Sequence, residues 1–434
     1  MALDYNSKTS SSSSLETLFD PCCPDTDSDR AGESTSLPRP DDEHAQHVLV
    51  TGGLGYIGSH TCLELLKSGY NVLIVDDLSN SYPHIFLHIL QVAREYHNAR
   101  QTVLPKANLS VSDYGDEPAM RDLLNAHSSG PEKDPKSRSQ IMGVIHFAAF
   151  KQVEESIRDP LKYYGNNISG QLSLLRLLNE FNIRTLIFSS SASVYGSRAG
   201  AGQLFREEDC LHEPELRNFP PAGQPPELNH TASSFSSITN PYGRTKLFGE
   251  AILADLVRSD ASWKIIALRY FNPVGGDASG LLGEDAKTPS TTLPAALSRV
   301  MTGQSEKVYI YGNDWDSHDG TPVRDFIHVT DLARGHIRAL AAAVEGRVKE
   351  NFRTFNLGTG FGHSVLQLIQ ALEGVSGRSI PCESVGRRPG DVVSSVANTE
   401  RSARELGWKT DMALIDACRD LCSYLENKNG PRMH

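Results

Sequence analysis

The chain has 434 residues, enough for two domains or one large one, and its apolar share of 39% is ordinary for a globular protein. Its formal charge of −11 is unevenly spread: the first 46 residues carry ten acids against three bases, so the body is close to neutral. That balance excludes nucleic acid as the implied partner, no apolar run approaches a membrane span, and seven scattered cysteines form neither a disulfide framework nor a metal motif.

Residues 1–45 are rich in Ser, Asp and Pro and poor in aliphatics, a composition that predicts disorder. Met1 to Leu18 has neither the basic start nor the apolar run of a secretory signal, so reduced thiols and a cytoplasmic location are expected. At Val48-Leu49-Val50-Thr51 the character changes: a buried strand runs into Gly52-Gly53-Leu54-Gly55-Tyr56-Ile57-Gly58, and apolar residues at helical spacing follow. Gly53-x-Gly55-x-x-Gly58 and Gly52-x-x-Gly55-x-x-Gly58 both fit a dinucleotide-binding turn. Residues without a Cβ let the backbone bend tightly and approach a pyrophosphate, and the helix N-terminus then faces its charge. Val72-Leu73-Ile74-Val75 ends in Asp76, about twenty residues past the turn, where a carboxylate accepts hydrogen bonds from ribose hydroxyls and repels a 2′-phosphate. No arginine lies between Asp76 and Ser81, so NAD is favoured over NADP. A βαβ unit with no cofactor is the alternative reading of the glycines alone.

Further apolar runs at Val144 to Ala148, Thr185 to Ser190 and Ile265 to Arg269 read as buried parallel strands, separated by helical patterns over 161–181 and 242–258. Strands alternating with helices predict a Rossmann-type, doubly wound parallel α/β sheet. Two stretches interrupt the rhythm, a polar one at 128–140 and a Pro-, Gly- and Ser-rich one at 197–237 that borders the chemical motifs. After Phe271 the elements shorten, and 352–358 reads as one more strand returning to the sheet. The expected division is a cofactor domain of 46–270 plus about 328–360, and a smaller α/β substrate domain of 271–327 plus 361–434.

Two motifs carry chemistry. Tyr242 and Lys246, four apart, share one face of a helix, and an ammonium beside a phenol, with a nicotinamide cation close by, is expected to favour the phenolate. Ser189-Ser190-Ser191 ends a strand, which puts hydroxyls at the carboxyl edge where open α/β sheets bind ligands. Taken singly, the first is usually a solvated helix face and the second a turn.

Together with longer strings, these motifs make the chain resemble the extended short-chain dehydrogenase/reductases, and among them the UDP-sugar 4-epimerases, from about Val48 to Lys409. The strings are His146-Phe147-Ala148-Ala149-Phe150-Lys151, Tyr163-Tyr164-Gly165-Asn166-Asn167, Leu268 to Gly275, Ser279 to Asp285, Val323 to Val329 and Gly386 to Asp391. The resemblance implies interconversion of UDP-galactose and UDP-glucose through a transient 4-keto sugar, with NAD as cofactor, no metal, and a homodimer built on the 161–181 and 242–258 helices. It assigns Tyr242 as base and acid, Ser191 as the proton-relaying hydroxyl and Lys246 to the nicotinamide ribose. Further cofactor contacts are implied at Gly52, Gly55, Tyr56, Ile57, Gly58, Asp76, Asn80, Ser81, Asn108, Leu109, Phe147, Ala148, Lys151, Asn166 and Tyr270. Substrate contacts are implied at Asn272, Thr291, Tyr309, Tyr311, Arg324, Arg388, Asp391 and Ser395, besides Ser191 and Tyr242.

The chain departs from the pattern at Asn108, where the family has an aspartate, and at Ser290-Thr291-Thr292, where it has an Asn-Asn run. Ser395 stands at a position that varies between small and bulky residues, and a serine there leaves room for an N-acetyl group. Ser191-Ala192-Ser193 holds no carboxylate, which disfavours the sugar dehydratases of the same fold. Epimerases of UDP-glucuronate or UDP-pentoses, and a non-catalytic NAD-binding regulator, remain the competing readings.

Overall fold

The structure is a computed structural model that describes residues 46–129, 138–197, 203–210, 238–388 and 391–429. The expectation of disorder for 1–45 and most of the 197–237 insertion lie outside the described residues.

In chain order, β1 (His47–Thr51) leads to α1 (Tyr56–Lys67), β2 (Asn71–Asp76), α2 (His84–Arg100), β3 (Ala107–Val111), α3 (Glu117–Ala126) and β4 (Ile141–His146). There follow α4 (Gln171–Glu180), β5 (Thr185–Ser191), α5 (Pro241–Ser259), β6 (Lys264–Tyr270), α6 (Val329–Val344) and β7 (Phe352–Leu357). The seven strands form one sheet in the order β7-β6-β5-β4-β1-β2-β3, every neighbouring pair parallel. This is the doubly wound Rossmann-type arrangement, and β7 returns to the sheet beside β6 as the sequence predicts.

Strands covered on both faces must be apolar throughout, and β1 and β2 are buried along their whole length. Their side chains alternate between the faces: Val48, Val50 and Ile74 pack with Leu63, Leu66 and Leu340 of α1 and α6. Leu49, Leu73 and Val75 pack on the other side with Leu174, Leu186 and Leu253. A third cluster joins Val274, Leu297, Ile310 and Phe326 to Leu368, Leu372 and Leu421, residues drawn from the 271–327 and 361–434 stretches.

The predicted helix over 161–181 is not regular. Pro160–Tyr164 and Gln171–Glu180 are joined by a wider π-helical turn, Gly165–Gly170, which carries Asn166. The 128–140 stretch is not a plain loop either: its ends pair antiparallel, Ser128 with Ser139 and Ser129 with Arg138, while 130–137 lie outside the described residues. Among the described residues, no helix is long and apolar enough to cross a membrane.

Candidate active site

A cavity of about 790 Å³ opens where the carboxyl ends of β1, β2, β4, β5 and β6 converge. One end is shaped by the glycine turn. Gly52 has φ +68°, and a Cβ there would come within 2.7 Å of the Ala148 nitrogen. At Gly58 a Cβ would meet the Gly52 carbonyl oxygen at 2.3 Å, so neither position admits a side chain. No side chain caps α1, whose first turn, with Tyr56, Ile57 and Gly58, lines the cavity. A backbone cradle at a helix N-terminus that only glycine can form fits the diphosphate of a dinucleotide.

At the same end Asp76 is held by its own loop. Its Oδ2 accepts the Leu54 amide at 2.9 Å, and Oδ1 accepts the Leu78 amide at 3.0 Å and the Ser81 hydroxyl at 2.6 Å. A carboxylate oxygen has two lone pairs, so Oδ2 keeps acceptor capacity toward a ribose hydroxyl. Lys151 pairs with Glu284 at 2.9 Å, and Asn80 accepts the Thr288 amide at 2.8 Å. Segment 284–288 is thereby tied to the cofactor end of the cavity.

Tyr242 and Lys246 stand on the first two turns of α5. Asn240 starts that helix by accepting the Gly243 amide at 2.8 Å, with Pro241 in the first turn, where its missing N–H costs nothing. Tyr242 and Ser191 both face the cavity, and Ser191 Oγ accepts the Ser193 hydroxyl at 2.9 Å. Of the serine run, Ser189 and Ser191 line the cavity, while Ser190 turns into the core and donates to Glu250.

Burial pushes the Tyr242 phenol up to about 12, and the Ser191 hydroxyl opposes this only in part. Burial lowers Lys246 to about 7, with Glu250 pulling the other way. The expected stabilisation of phenolate by ammonium is not supplied by the protein's own groups, because Lys246 Nζ is turned onto the Ser189 carbonyl, 2.5 Å away.

The far end of the cavity holds Asn272, Arg324, Asp391 and Ser395. The Arg324 guanidinium donates to the carbonyls of Val323 and Val392 at 2.8 and 2.9 Å and lies 4.0 Å from Asp391. Six expected contacts do not line the cavity. Asn108 is exposed on the edge strand β3 and Leu109 packs into the core, as strand alternation dictates. Thr291 is exposed one residue short of Thr292, which starts the next helix and faces the cavity instead. Tyr309 is 47% exposed, and Tyr311 carries the Arg388 guanidinium over its ring at 4.0 Å. Arg388 reaches the cavity only through Asp391, 3.4 Å away.

The lining also includes Phe205, Asn240, Phe271, Glu284 and Thr288, which sequence reasoning missed. Phe271 and Asn240 stand beside Tyr270 and Tyr242 and were legible by adjacency. Nothing local marks Phe205 or Glu284, which arrive from distant segments. Among the described residues, no group of three or more His, Cys, Asp or Glu could hold a metal ion.

Comparison with known proteins agrees with this geometry. Residues 48–358 match the model of the NAD dependent epimerase/dehydratase family. The chain is 40% identical over 383 residues to UDP-glucose 4-epimerase 2 of Arabidopsis thaliana, covering 88% of this chain and 96% of that one. Two crystal structures superpose well. UDP-glucose 4-epimerase of Stenotrophomonas maltophila, with bound NAD and formylated UDP-arabinopyranose, gives a TM-score of 0.73 at 38% identity, covering 88% of this chain and 99% of that one. The Bifidobacterium longum enzyme, in complex with NAD+ and UDP, gives 0.71 at 37% identity with the same coverage. The chain belongs to the NAD dependent epimerase/dehydratase family, alongside the UDP-glucose 4-epimerases.

Proposed function

We propose that the chain interconverts UDP-galactose and UDP-glucose by NAD-dependent 4-epimerisation. The observation that carries the reading is that Tyr242 and Ser191 line one cavity, with a glycine cradle at one end and Arg324 with Asp391 at the other. NAD, when bound at the cradle, supplies the hydride acceptor and donor.

The chain's own groups do the rest. Arg324 holds the diphosphate of the UDP moiety and Asp391 its ribose, charge-assisted contacts that anchor the nucleotide while the sugar stays free to turn. Tyr242 Oη, favoured as phenolate by the positive nicotinamide ring of bound NAD, takes the 4′-hydroxyl proton by way of Ser191 as C4′ is oxidised and returns it when C4′ is reduced from the opposite face. Ser191 bonds the 4′-oxygen and hands the proton on to Tyr242. Lys246, fixed to the end of β5, orients the nicotinamide ribose. Lys151 and Asn166 serve the cofactor from the cavity wall, and Asn272 and Ser395 flank the sugar.

Two further points belong to the proposal. Ile157 and Leu161, 59% and 80% exposed ahead of the π-helical turn, form an apolar surface that supports a homodimer on that face. Cys62, Cys418 and Cys422 are buried free thiols, which supports a reducing, cytoplasmic setting.

Proton NMR of the purified protein with UDP-galactose and no added NAD tests the reading. Formation of UDP-glucose establishes it and shows that cofactor co-purifies. Absence of conversion, with NAD added as well, overturns it. Ser395, half-buried in the lining, favours acceptance of N-acetylated UDP-sugars as well. That extension fails if Ser395→Tyr leaves the ratio of N-acetylated to plain turnover unchanged.

A further inference from the structure

The 197–237 insertion has an inner segment, 203–210, that is built into the protein rather than looped away from it. Phe205 bridges Ala397 in parallel, its amide donating to the Val396 carbonyl at 2.8 Å and its carbonyl accepting the Asn398 amide at 2.8 Å. Val396 directly follows the cavity residue Ser395. The Phe205 ring stacks on Tyr195 with centroids 4.7 Å apart and an 8° interplanar angle, and lies 6.3 Å from Phe271.

Arg269 locks this segment to the helix that carries Tyr242. It is fully buried, and all five of its guanidinium N–H donors are engaged. Nε and Nη2 bond Glu250 of α5 at 3.0 and 2.7 Å, Nη1 bonds the Tyr195 hydroxyl and the Glu207 carbonyl at 3.2 and 3.0 Å, and Nη2 also bonds the Cys210 carbonyl at 2.8 Å. One residue thus fixes α5, the turn after Ser191 and the insertion segment in a single frame. On the cavity side this frame presents Phe205 and Phe271, which share the lining with Ser191, Asn272 and Ser395.

We propose that Phe205 is a specificity-determining wall of the sugar pocket, set in place by Arg269, and that its width decides how large a substituent the turning ring can carry. The proposal rests on the 4-epimerase reading. A 4-keto ring that must show both faces to one hydride site has to rotate about its nucleotide anchor. An aromatic wall offers contact without directed hydrogen bonds, so it confines the ring without fixing its orientation. A directed polar contact at that place would favour one face and slow the exchange.

The test compares the wild type with Phe205→Ala and with Phe205→Leu, which keeps an apolar side chain of similar reach. Substrates are UDP-galactose and UDP-N-acetylgalactosamine, with UDP affinity, bound cofactor and melting temperature read alongside. Widening the pocket is expected to raise the N-acetylated to plain ratio of kcat/KM by about tenfold in Phe205→Ala, and by less in Phe205→Leu. UDP affinity and cofactor content are expected to stay within about twofold, because the anchors lie elsewhere. An unchanged ratio in a folded variant overturns the wall, as does a parallel loss of turnover, UDP affinity and cofactor content, which marks a packing residue. Should Phe205→Ala not fold, Phe205→Leu decides by the same ratio. A wild type that epimerises neither sugar overturns the 4-epimerase reading and the wall with it, whereas an active wild type with an unmoved ratio overturns the wall alone.

Discussion

The ammonium nitrogen of Lys246 lies 2.5 Å from the main-chain oxygen of Ser189, which clamps the first turns of α5 to the end of the strand that carries Ser191. The contact costs Lys246 its solvent, and burial brings its pKa down to about 7 from 10.5. The unfolded chain keeps that proton until about 10.5, so between the two values the folded state binds fewer protons and stability rises with pH. Buried thiols and phenols are shifted upward and produce the opposite slope only above about pH 9. The melting temperature of cofactor-free protein is therefore expected to climb from pH 7 to 9, and the climb to vanish in Lys246→Met. A flat wild-type profile would count against a desolvated lysine.

Tyr242→Phe removes the only proton acceptor proposed for the 4′-hydroxyl while keeping the ring that fills the wall. Turnover of UDP-galactose is expected to fall by about 10³-fold, and Ser191→Ala by about tenfold to a hundredfold. UDP affinity, measured by calorimetry, is expected to be unchanged in both. Loss of UDP binding in Tyr242→Phe would mean a disturbed cavity rather than lost proton transfer.

Gly58→Ala sets a methyl group 2.3 Å from the Gly52 carbonyl oxygen. Backbone is not a yielding neighbour, so the turn must open and the cradle with it. The variant is expected to purify with little or no NAD and to melt several degrees lower, a loss of about 1–3 kcal/mol. Retention of the wild-type cofactor content, read from the nucleotide released on denaturation, would contradict the cradle.

Arg324→Lys keeps the charge but loses the planar fork that holds two carbonyls and faces Asp391. UDP affinity is expected to fall by about 10- to 100-fold with cofactor content unaffected. A unchanged dissociation constant would move the nucleotide anchor to another residue.

Leu161→Asp places a charge on the 80% exposed apolar position ahead of the π-helical turn. If that face joins two copies, the variant is expected to sediment as a monomer with the wild-type circular dichroism spectrum. An unaltered sedimentation coefficient would place the dimer interface elsewhere or show none.

The parts of this protein written as short-range patterns were readable in advance. The run Val48 to Gly58 had to become strand, turn and helix, because apolar periodicity and the absence of a Cβ act within a few residues. Tyr242 and Lys246 had to share a helix face for the same reason. The predicted helix over 161–181 was less legible, since nothing in Gly165-Asn166-Asn167 shows that its turn widens into a π-helix.

Tertiary structure decided what depends on distant segments meeting. Ser191 rather than Ser190 faces the cavity because Glu250, from the helix packed against the strand, captures the Ser190 hydroxyl. Asn108, which replaces a family aspartate, and Arg388, which matches the family pattern, both lie outside the lining, through strand alternation and stacking on Tyr311 respectively. The phenol of Tyr242 sits high because burial outweighs its local partners, and burial is a property of the assembled cavity. Phe205 reaches the pocket because its backbone pairs with residues 396–398 and because Arg269, a residue of an interior strand, ties the insertion to the sheet through the Glu207 and Cys210 carbonyls. Local patterns along the chain set the strands and helices, the glycine cradle and the residue types of the chemistry. Which side chains face one another, and how strongly they are desolvated, was decided by long-range packing that no local pattern encodes.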